Sequence, residues 1–365
     1  MGAPAGPADA VARLRLARSA QIGPVTYRQL VLRFGSAEAA LDAVPQLAAR
    51  GGRRDVRLAS VADAERELAA ITRKGARCLF VGTAAYPPLL SAIDTAPPML
   101  IVSGDAGLLD RPTVAIVGAR NASAAACRFA REIAFDLGEA GVTVISGLAR
   151  GIDTAAHHGS LGSGTVGVVA GAINVFYPPE NEGLQREIAA KGLLVAEQPP
   201  GTEPRARHFP YRNRIIAGLA QATVVVEAAP KSGSLITARL AAEFGREVLA
   251  VPGSPLDQRA QGCNLLIREG ATLIQNAADV LEALRPIGTG LVREPPAAWA
   301  GAQMDNASDA DRQRILDLLG PTPVSVDEIV RQSGLPAGVV QTVLLELELA
   351  GRLDRHAGGR ASLAV

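Results

Sequence analysis

The chain has 365 residues, of which 48% are hydrophobic and 20% charged, and its formal net charge is +1. This length predicts two or three domains, and the neutral balance excludes a protein that coats nucleic acid with its whole surface. The sequence has no run of eighteen apolar residues and no apolar signal-peptide core, so we expect a cytoplasmic protein without a membrane span. The three isolated cysteines, Cys78, Cys127 and Cys263, are expected to be free thiols.

Residues 1–76 predict a small helical domain. The stretch "IGPVTYRQLVLRFGSAEAALDA", Ile22 to Ala43, indicates a turn, a helix, a second turn and a second helix. This order is similar to SAM-like and helix-hairpin-helix modules, which often contact a DNA backbone through the amides of a turn. The segment holds 12 basic and 7 acidic residues. The alternative is a helical domain that serves only for packing.

Residues 77–285 predict an α/β domain. Apolar, β-branched runs recur as "TVAIVG", "VTVISG", "TVGVVA", "LLVAEQ", "ATVVVEA" and "EVLAVPG", with helix-like stretches between them. This alternation predicts a Rossmann-like, doubly wound, mainly parallel sheet with crossover helices. Ligands of such sheets bind at the carboxyl ends of the strands. The turns that follow the runs therefore carry the candidate site residues.

Two of these turns have the features of anion sites. The turn after the first run offers four candidates, Gly118, Ala119, Arg120 and Ser123. The turn after the second run offers another four, Ser146, Gly147, Arg150 and Gly151. In both cases a helix N-terminus follows and adds partial positive charge. Asp153 is expected to cap the second of these helices, and the alternative is a catalytic acid or base.

The stretch "RHFPYRNRIIAG", Arg207 to Gly218, concentrates arginines and aromatic rings in an almost neutral chain. We expect a basic track for phosphates, made by Arg205, Arg207, Arg212 and Arg214, beside Asn213. We expect stacking faces for bases on His208, Phe209 and Tyr211. The alternative is that the rings are buried and that the arginines pair with acids such as Glu203 and Glu227.

A third turn follows the fifth run. It offers Lys231, Ser232, Gly233, Ser234 and Thr237. Three such turns at one edge of a sheet predict a phosphate-binding surface, and the alternative is that each is an ordinary helix cap. We expect one phosphate track to be formed by Arg120, Arg212, Arg214 and Lys231.

The sequence motifs of several other functions are absent from this chain. The G-x-G-x-x-G fingerprint of dinucleotide sites and the G-x-x-x-x-G-K-[ST] loop of nucleotide hydrolases do not occur. His157 and His158 have no cysteine or carboxylate at metal-ligand spacing, and no G-x-S-x-G elbow is present. We therefore expect no cofactor, no metal and no catalytic residue.

The last part of the chain predicts a linker and a further domain. Residues 286–307 are rich in glycine, proline and alanine, which is typical of a linker. Residues 308–365 indicate three helices followed by a short β-ribbon, which is the order of a winged helix. Because residues 305–365 hold 6 basic and 9 acidic residues, DNA contact, protein contact and packing all remain open.

Five motifs together resemble one family, the bacterial DNA-processing protein A (DprA, or Smf) family. They are "IVGARNAS", "VISGLARGIDTAAHHG", "HFPYRNRIIAGLA", "SGSLITARLAAEFGREVLAVPG" and "GCNLLIREGA", within residues 86–284. Members commonly carry a SAM-like domain before the Rossmann-like domain and a winged helix after it. The family's G-S/T-R element falls on Gly118, Ala119 and Arg120, so a side-chain hydroxyl often present in the family is missing here.

The resemblance implies a function. Such proteins bind single-stranded DNA without strong sequence preference in a basic pocket of the Rossmann-like domain. They protect incoming strands during natural transformation, help to displace single-strand-binding protein and load the recombinase RecA. They form homodimers through the later part of that domain, for which the apolar run from Leu265 to Leu284 is the expected face. No catalytic activity is implied.

Two rival functions remain. The first is a hydrolase of nucleoside monophosphates, a phosphoribohydrolase, on the same fold. Those enzymes carry a P-G-G-x-G-T turn with an acid in the following helix, whereas here the turn has one glycine and the first acid is Glu243. The second is a structural adaptor that uses its winged helix, but such a protein does not account for the clustered arginines.

Overall fold

The computed structural model describes residues 6–285, 307–356 and 358–364. These residues form two compact units. One unit comprises residues 66–285, and the other combines residues 6–65 with the described residues from 307 onward. The predicted linker 286–307 lies outside the described residues except for Ala307.

The N-terminal helices begin and end at residues suited to turns. They are α1 (Pro7–Arg18), α2 (Pro24–Phe34) and α3 (Ala37–Arg50). Gly35 ends α2 with φ of 77°, a left-handed conformation that glycine adopts without strain. Ser36 then caps α3 by accepting a hydrogen bond of 3.1 Å from the backbone N–H of Ala39. The predicted order of turn, helix, turn and helix is therefore confirmed.

A nine-stranded sheet forms the centre of the α/β unit. Its strands are β1 (Arg77–Phe80), β2 (Met99–Gly104), β3 (Thr113–Gly118), β4 (Thr143–Ser146), β5 (Thr165–Val168), β6 (Leu193–Ala196), β7 (Ala222–Val226), β8 (Glu247–Ala250) and β9 (Thr272–Leu273). They lie in the order β1-β2-β6-β5-β4-β3-β7-β8-β9. All six predicted runs form strands, and these pair in parallel, whereas β2 pairs antiparallel with both β1 and β6.

Helices cover both faces of this sheet, as the apolar runs require. They are α5 (Pro88–Ser91), α6 (Ala124–Glu139), α7 (Ile152–Ser160), α8 (Glu182–Lys191), α9 (His208–Leu219), α10 (Gly233–Glu243), α11 (Gln261–Arg268) and α12 (Ala277–Ala283), and they follow α4 (Val61–Arg73), which begins in the other unit. The side chain of Val224 packs with α6, α7 and α12, and that of Val225 packs with α5, α9, α10 and α11. Both valines are fully buried because successive strand residues point to opposite faces. Within the described residues no helix is long and apolar enough to cross a membrane.

The chain reverses its direction across the sheet between β3 and β7. From β3 the strands run outward through β4 and β5 to β6, and the chain then returns to place β7 on the other side of β3. The helix after β3 and the helix after β7 lie on opposite faces. A crevice therefore opens at the carboxyl ends of these strands, where ligands of doubly wound folds bind.

The second unit contains the predicted winged helix. Its elements are α13 (Asp309–Leu318), β10 (Val324–Ser325), α14 (Val326–Ser333), α15 (Ala337–Leu349), β11 (Leu353–His356) and β12 (Arg360–Leu363). Ser308 and Asp311 form a reciprocal capping box at the start of α13. The strands order as β10-β12-β11 beside the three helices, and an apolar core that includes Ile315, Val340 and Leu344 joins them.

Helix α15 of the winged helix packs against α3 of the N-terminal segment. A Cβ atom on Gly51 would lie 2.0 Å from the carbonyl oxygen of Glu346, so glycine permits this backbone approach. The Glu346 side chain is 1% exposed, and it accepts hydrogen bonds of 2.8 and 3.0 Å from the Arg312 guanidinium. The N-terminal helices and the winged helix, which lie far apart in sequence, thus share one folded unit.

Candidate functional site

A pocket opens at the carboxyl ends of β3, β4 and β5. Its walls are the turns after β3 and β4, the loop after β5 and the first turn of α9, and it encloses about 530 Å³ including the solvent at its mouth. It brings together five sequence-predicted residues, Arg120, Gly147, Arg150, Phe209 and Arg212. The loop after β5, which the sequence analysis did not single out, contributes residues 169–171 together with Val175, Tyr177 and Pro178.

Arg120, Phe209 and Tyr177 form one wall of the pocket, here called the aromatic wall. The Arg120 guanidinium carbon lies 5.1 Å from the centre of the Phe209 ring, within range of a cation–π interaction. The Phe209 ring centre lies 5.7 Å from that of Tyr177, with the planes tilted by 60°. Arg120 is exposed, Tyr177 is 46% exposed and Phe209 is half-buried. The wall therefore offers a cation and the exposed ring of Tyr177 to one ligand, beside the half-buried ring of Phe209.

Arg212 is a pocket residue, but the prediction that its guanidinium is free for phosphate is wrong. The side chain is 6% exposed, and Nη1 donates to the carbonyl oxygens of Gly147 and, at 2.7 Å, Val168. These bonds tie α9 to the ends of β4 and β5. A Cβ atom on Gly147 would lie 2.0 Å from Nη1 of Arg212, so glycine is needed for the guanidinium to fit. Arg212 thus forms the base of the pocket.

Asp153 completes this base. Its Oδ2 accepts hydrogen bonds from the backbone N–H groups of Gly147, at 3.2 Å, and Ala149, at 3.3 Å. It therefore orders the turn after β4 rather than capping the N-terminus of α7, as predicted, because Gly151 occupies the N-cap position. Burial raises the pKa of Asp153 and lowers the pKa of Arg212 to about 10, and each charge offsets part of the other's shift.

Arg214 does not contribute to the pocket, which corrects its prediction as a phosphate contact. Its side chain is buried, and its Nη2 lies 2.6 Å from Oε1 of Glu197 in an ion pair. Nη1 also donates to the carbonyl oxygen of Thr95. The guanidinium is thus engaged by a carboxylate that the sequence analysis did not name as its partner.

The turn after β3 is also less open to anions than predicted. Ser123 caps α6 by accepting a hydrogen bond of 3.1 Å from the backbone N–H of Ala126. The Glu227 carboxylate accepts bonds from the backbone N–H of Ser123, at 2.8 Å, and from its hydroxyl, at 2.6 Å. A carboxylate therefore occupies this helix N-terminus, and Arg120 is left as the anion-binding group of the turn.

The remaining predicted residues of the first two turns have structural roles: they form hydrogen bonds with the backbone or allow two backbone segments to approach closely. Ser146 is fully buried and donates to the carbonyl oxygen of Ile116 at 2.6 Å, so its predicted role as a ligand contact is wrong. The two turns meet where the Ile152 N–H donates to the carbonyl oxygen of Ala119 at 3.3 Å. Close backbone neighbours require glycine at two positions, because an added Cβ would lie 2.0 Å from an oxygen at Gly118 and 2.3 Å at Gly151.

Two predicted stacking residues, His208 and Tyr211, and the predicted phosphate contact Arg150 differ in their burial and in their distance from the pocket. His208 is 8% exposed, and its Nδ1 accepts a hydrogen bond from the backbone N–H of Arg205, so it presents no free ring face. Tyr211 is 59% exposed but does not line the pocket. Arg150 lines the pocket, is exposed and lies 3.8 Å from Glu180, a separation at which an exposed ion pair contributes little.

The turn before α10 lies outside the pocket lining. Ser232 caps this helix through a bond of 3.3 Å from the backbone N–H of Ser234, while Lys231 is exposed. The side chain of Asn213 donates to the carbonyl oxygen of Gly233 at 3.3 Å. Ser234 and Thr237 are buried. Of the four residues of the predicted phosphate track, only Arg120 presents an exposed guanidinium to the pocket, while Lys231 lies on a separate turn. Arg150, which was not part of that track, is the second exposed arginine of the pocket lining.

His157 lies buried on α7 behind the pocket, and its Nδ1 is 2.8 Å from the Thr165 hydroxyl. Burial lowers its pKa from 6.5 to about 3. Since the unfolded chain binds this proton near pH 6.5 and the folded chain does so only at lower pH, stability is lost as the pH falls below about 6.5.

We expect His157→Asn to flatten the dependence of unfolding free energy on pH between about pH 5 and 6.5. Urea denaturation at several pH values measures this slope. His158→Asn, a change at the exposed neighbouring histidine, serves as the control and should keep the wild-type slope. An unchanged slope in His157→Asn would mean that folding does not lower the pKa of this histidine.

Three family profiles match the chain in order. DNA recombination-mediator protein A matches residues 77–285, the DprA-like N-terminal HHH domain matches residues 7–70, and the DprA winged helix domain matches residues 295–359. Together with the observed sheet, they confirm the predicted fold class of a helical N-terminal domain, a Rossmann-like domain and a winged helix.

Named relatives agree with the profiles. The chain is 36% identical to Protein Smf of a Synechocystis species over 75% of this chain and 77% of that protein. It is similar to the X-ray structure of DNA processing protein A from Streptococcus pneumoniae, with a TM-score of 0.62, 35% identity, and coverage of 74% of this chain and 95% of that one. A structure of DNA processing protein A from Helicobacter pylori, described in terms of its single-stranded DNA binding mode, gives a TM-score of 0.52 and 28% identity, covering 57% of this chain and 95% of that one. The chain therefore belongs to the DNA recombination-mediator protein A family, whose members are named DprA or Smf.

Proposed function

We propose that the chain binds single-stranded DNA, without strong sequence preference, in the pocket at the ends of β3, β4 and β5. The observation that carries this proposal is the aromatic wall, where the Arg120 guanidinium lies 5.1 Å from the Phe209 ring and Tyr177 stands beside it. A nucleotide needs a cation for its phosphate and a ring face for its base, and this wall supplies both. The Helicobacter pylori relative is described as binding single-stranded DNA, which supports the same ligand here.

The geometry favours a single strand over a duplex. Ring faces bind bases only when those bases are unstacked, as they are in a single strand. Apart from the arginines, the lining is mostly apolar or backbone, including Leu148, Val169 and Gly171. Such a lining lacks a set of side-chain donors and acceptors that would read one base edge. Binding is therefore expected to tolerate most sequences.

Membership of the family supports a wider role. We propose that the chain protects single strands during natural transformation and recombination and loads RecA onto them, with displacement of single-strand-binding protein. We also propose a homodimer formed by the edge of the sheet at β9. Leu273 on β9 is 45% exposed and Leu265 on α11 is 39% exposed, and both lie within the apolar run from Leu265 to Leu284.

We propose binding rather than hydrolysis as the activity of the pocket. In α10 the first acid is Glu243, which is the last residue of that helix. It lies ten positions after Gly233, or about 15 Å further along the helix axis. The release of free base from nucleoside monophosphates would show hydrolysis and overturn this part of the proposal.

Replacing Tyr177 with alanine tests the pocket directly. We expect the affinity for a labelled oligo-dT to fall by roughly 1–3 kcal/mol, because one stacking face is removed. Fluorescence anisotropy across a salt series measures this loss, with a duplex of equal length run in parallel. Tyr211→Ala is the matched control, since Tyr211 is an exposed tyrosine outside the pocket lining. Equal losses in both variants, or no binding by the wild-type chain, would contradict the proposed site.

A further inference from the structure

We infer that the N-terminal helices and the winged helix together form a second nucleic-acid surface, one that contacts the phosphate backbone of duplex DNA. This surface, here called the arginine seam, consists of Arg53, Arg54, Arg57 and Arg352 and the three turns that carry or adjoin them. It belongs to the unit of residues 6–65 and 307–364 and does not depend on the pocket of the α/β unit.

Three turns meet at the arginine seam. Nη1 of Arg352 donates a hydrogen bond of 3.2 Å to the carbonyl oxygen of Gly51, which ties the turn after α15 to the turn after α3. A Cβ atom on Gly351 would lie 3.4 Å from Nη1 of Arg53 and 3.5 Å from the Gln21 side chain. The tip of the α1–α2 hairpin, which includes Gln21, therefore reaches the same place. The backbone N–H of Ala20 also donates to the carbonyl oxygen of Arg57 at 3.3 Å.

The charge of the seam is strongly positive. Residues 50–58, "RGGRRDVRL", contain four arginines and one acid, Asp55. Arg54, Arg57 and Arg352 are exposed, and Arg53 is half-buried with its Nε donating 2.8 Å to the carbonyl oxygen of Asp55. Arg54 and Arg57 make no side-chain hydrogen bond or ion pair with any residue that the structure describes. Exposed guanidinium groups without acidic partners favour a polyanion.

The packing excludes the usual mode of DNA reading by a winged helix. That mode inserts the third helix into the major groove, but here α15 is buried along most of its length and packs on α3. Two other arginines of the winged helix, Arg331 on α14 and Arg355 on β11, are also engaged. Arg331 pairs with Glu328 at 2.5 Å and Arg355 pairs with Glu348 at 2.7 Å. Nucleic-acid contact by this unit is therefore expected at the seam and not at the third helix.

The residues of the seam favour a duplex backbone over a single strand. None of its arginines, glycines or the adjoining Gln21 offers an aromatic face for an unstacked base, whereas guanidinium groups and turn amides suit phosphates. Gly52 and Gly351 have φ of 103° and 71°, left-handed conformations that make the two turns tight, and the arginine side chains lie close to both glycines: Nη1 of Arg352 would be 3.3 Å from a Cβ on Gly52. The contact should thus depend on charge and not on sequence.

The test uses the full chain, a labelled blunt duplex of about 20 base pairs and the corresponding single strand, in anisotropy titrations over a salt series. We expect Arg54→Gln with Arg57→Gln to weaken duplex binding about tenfold near 50 mM salt. The slope of log affinity against log salt should fall by about 1.8, or about 0.9 for each lost phosphate contact. Arg331→Gln, which removes an exposed arginine of the same unit away from the seam, should leave both values unchanged.

A second variant gives an effect of the opposite sign, which misfolding cannot produce. Asp55→Asn removes the acid among the seam arginines and is expected to tighten duplex binding about twofold at low salt. Duplex binding unchanged in the double arginine variant, or a loss confined to the single strand, would overturn the inference. Absence of duplex binding by the wild-type chain would overturn it as well. None of these outcomes affects the pocket, which is tested separately through Tyr177.

Discussion

Replacing Arg120 with glutamate is expected to weaken binding of single-stranded DNA by roughly 30- to 150-fold at low salt, or about 2–3 kcal/mol. The exposed guanidinium is the cation of the aromatic wall, and a charge-assisted bond to a phosphate contributes about 1.5–3 kcal/mol. A carboxylate in its place would repel the phosphate and would lose the cation–π contact with Phe209. Arg120→Lys should retain part of the affinity, because the positive charge remains. It should lose the rest, because lysine lacks the planar guanidinium that binds a phosphate through two hydrogen bonds.

Anisotropy titrations with oligo-dT measure this effect. Arg111→Glu is the matched control, since Arg111 is an exposed arginine that precedes the amino end of β3, whereas the pocket lies at the carboxyl end of that strand. The same change of net charge there should alter affinity little. If Arg111→Glu weakened binding as much as Arg120→Glu, the effect would come from overall charge and the pocket would not be the site.

Replacing Arg212 with methionine is expected to destabilise the α/β unit by about 3–5 kcal/mol. The guanidinium is buried, donates to the carbonyl oxygens of Gly147 and Val168, and lies near the buried Asp153. Methionine would leave two buried carbonyl oxygens unsatisfied and one buried carboxylate without its countercharge. If this variant also loses DNA binding, the cause would be that the turn after β4, which lines the pocket, is no longer ordered.

Urea denaturation measures the change in stability, and a double-mutant cycle identifies its cause. Asp153→Asn added to Arg212→Met should recover part of the loss, because the uncompensated charge is removed. Arg205→Met, at an exposed arginine three residues before α9, should leave stability nearly unchanged. Normal stability of Arg212→Met combined with lost binding would instead assign Arg212 to direct ligand contact.

The sequence by itself determined the fold and the family. Its six β-branched runs all became strands, because a strand buried on both faces needs continuous apolar residues and this pattern is local. Its glycine-rich turns fell at the carboxyl ends of those strands, and two of the three line the pocket. Its motifs also identified the family, since they are long and occur in one order.

Only the tertiary structure decided which groups are available to a ligand. Arg120, Arg212 and Arg214 look equivalent in sequence, but Arg212 is held by a carbonyl oxygen 65 residues away and Arg214 by Glu197. Tyr177 reaches the pocket on a loop after β5, where no periodic pattern marks it. The packing of α3 on α15 joins segments about 300 residues apart. Sequence patterns report local periodicity, whereas the partner of a buried charge or an exposed ring is set by chain segments that meet only in the folded protein.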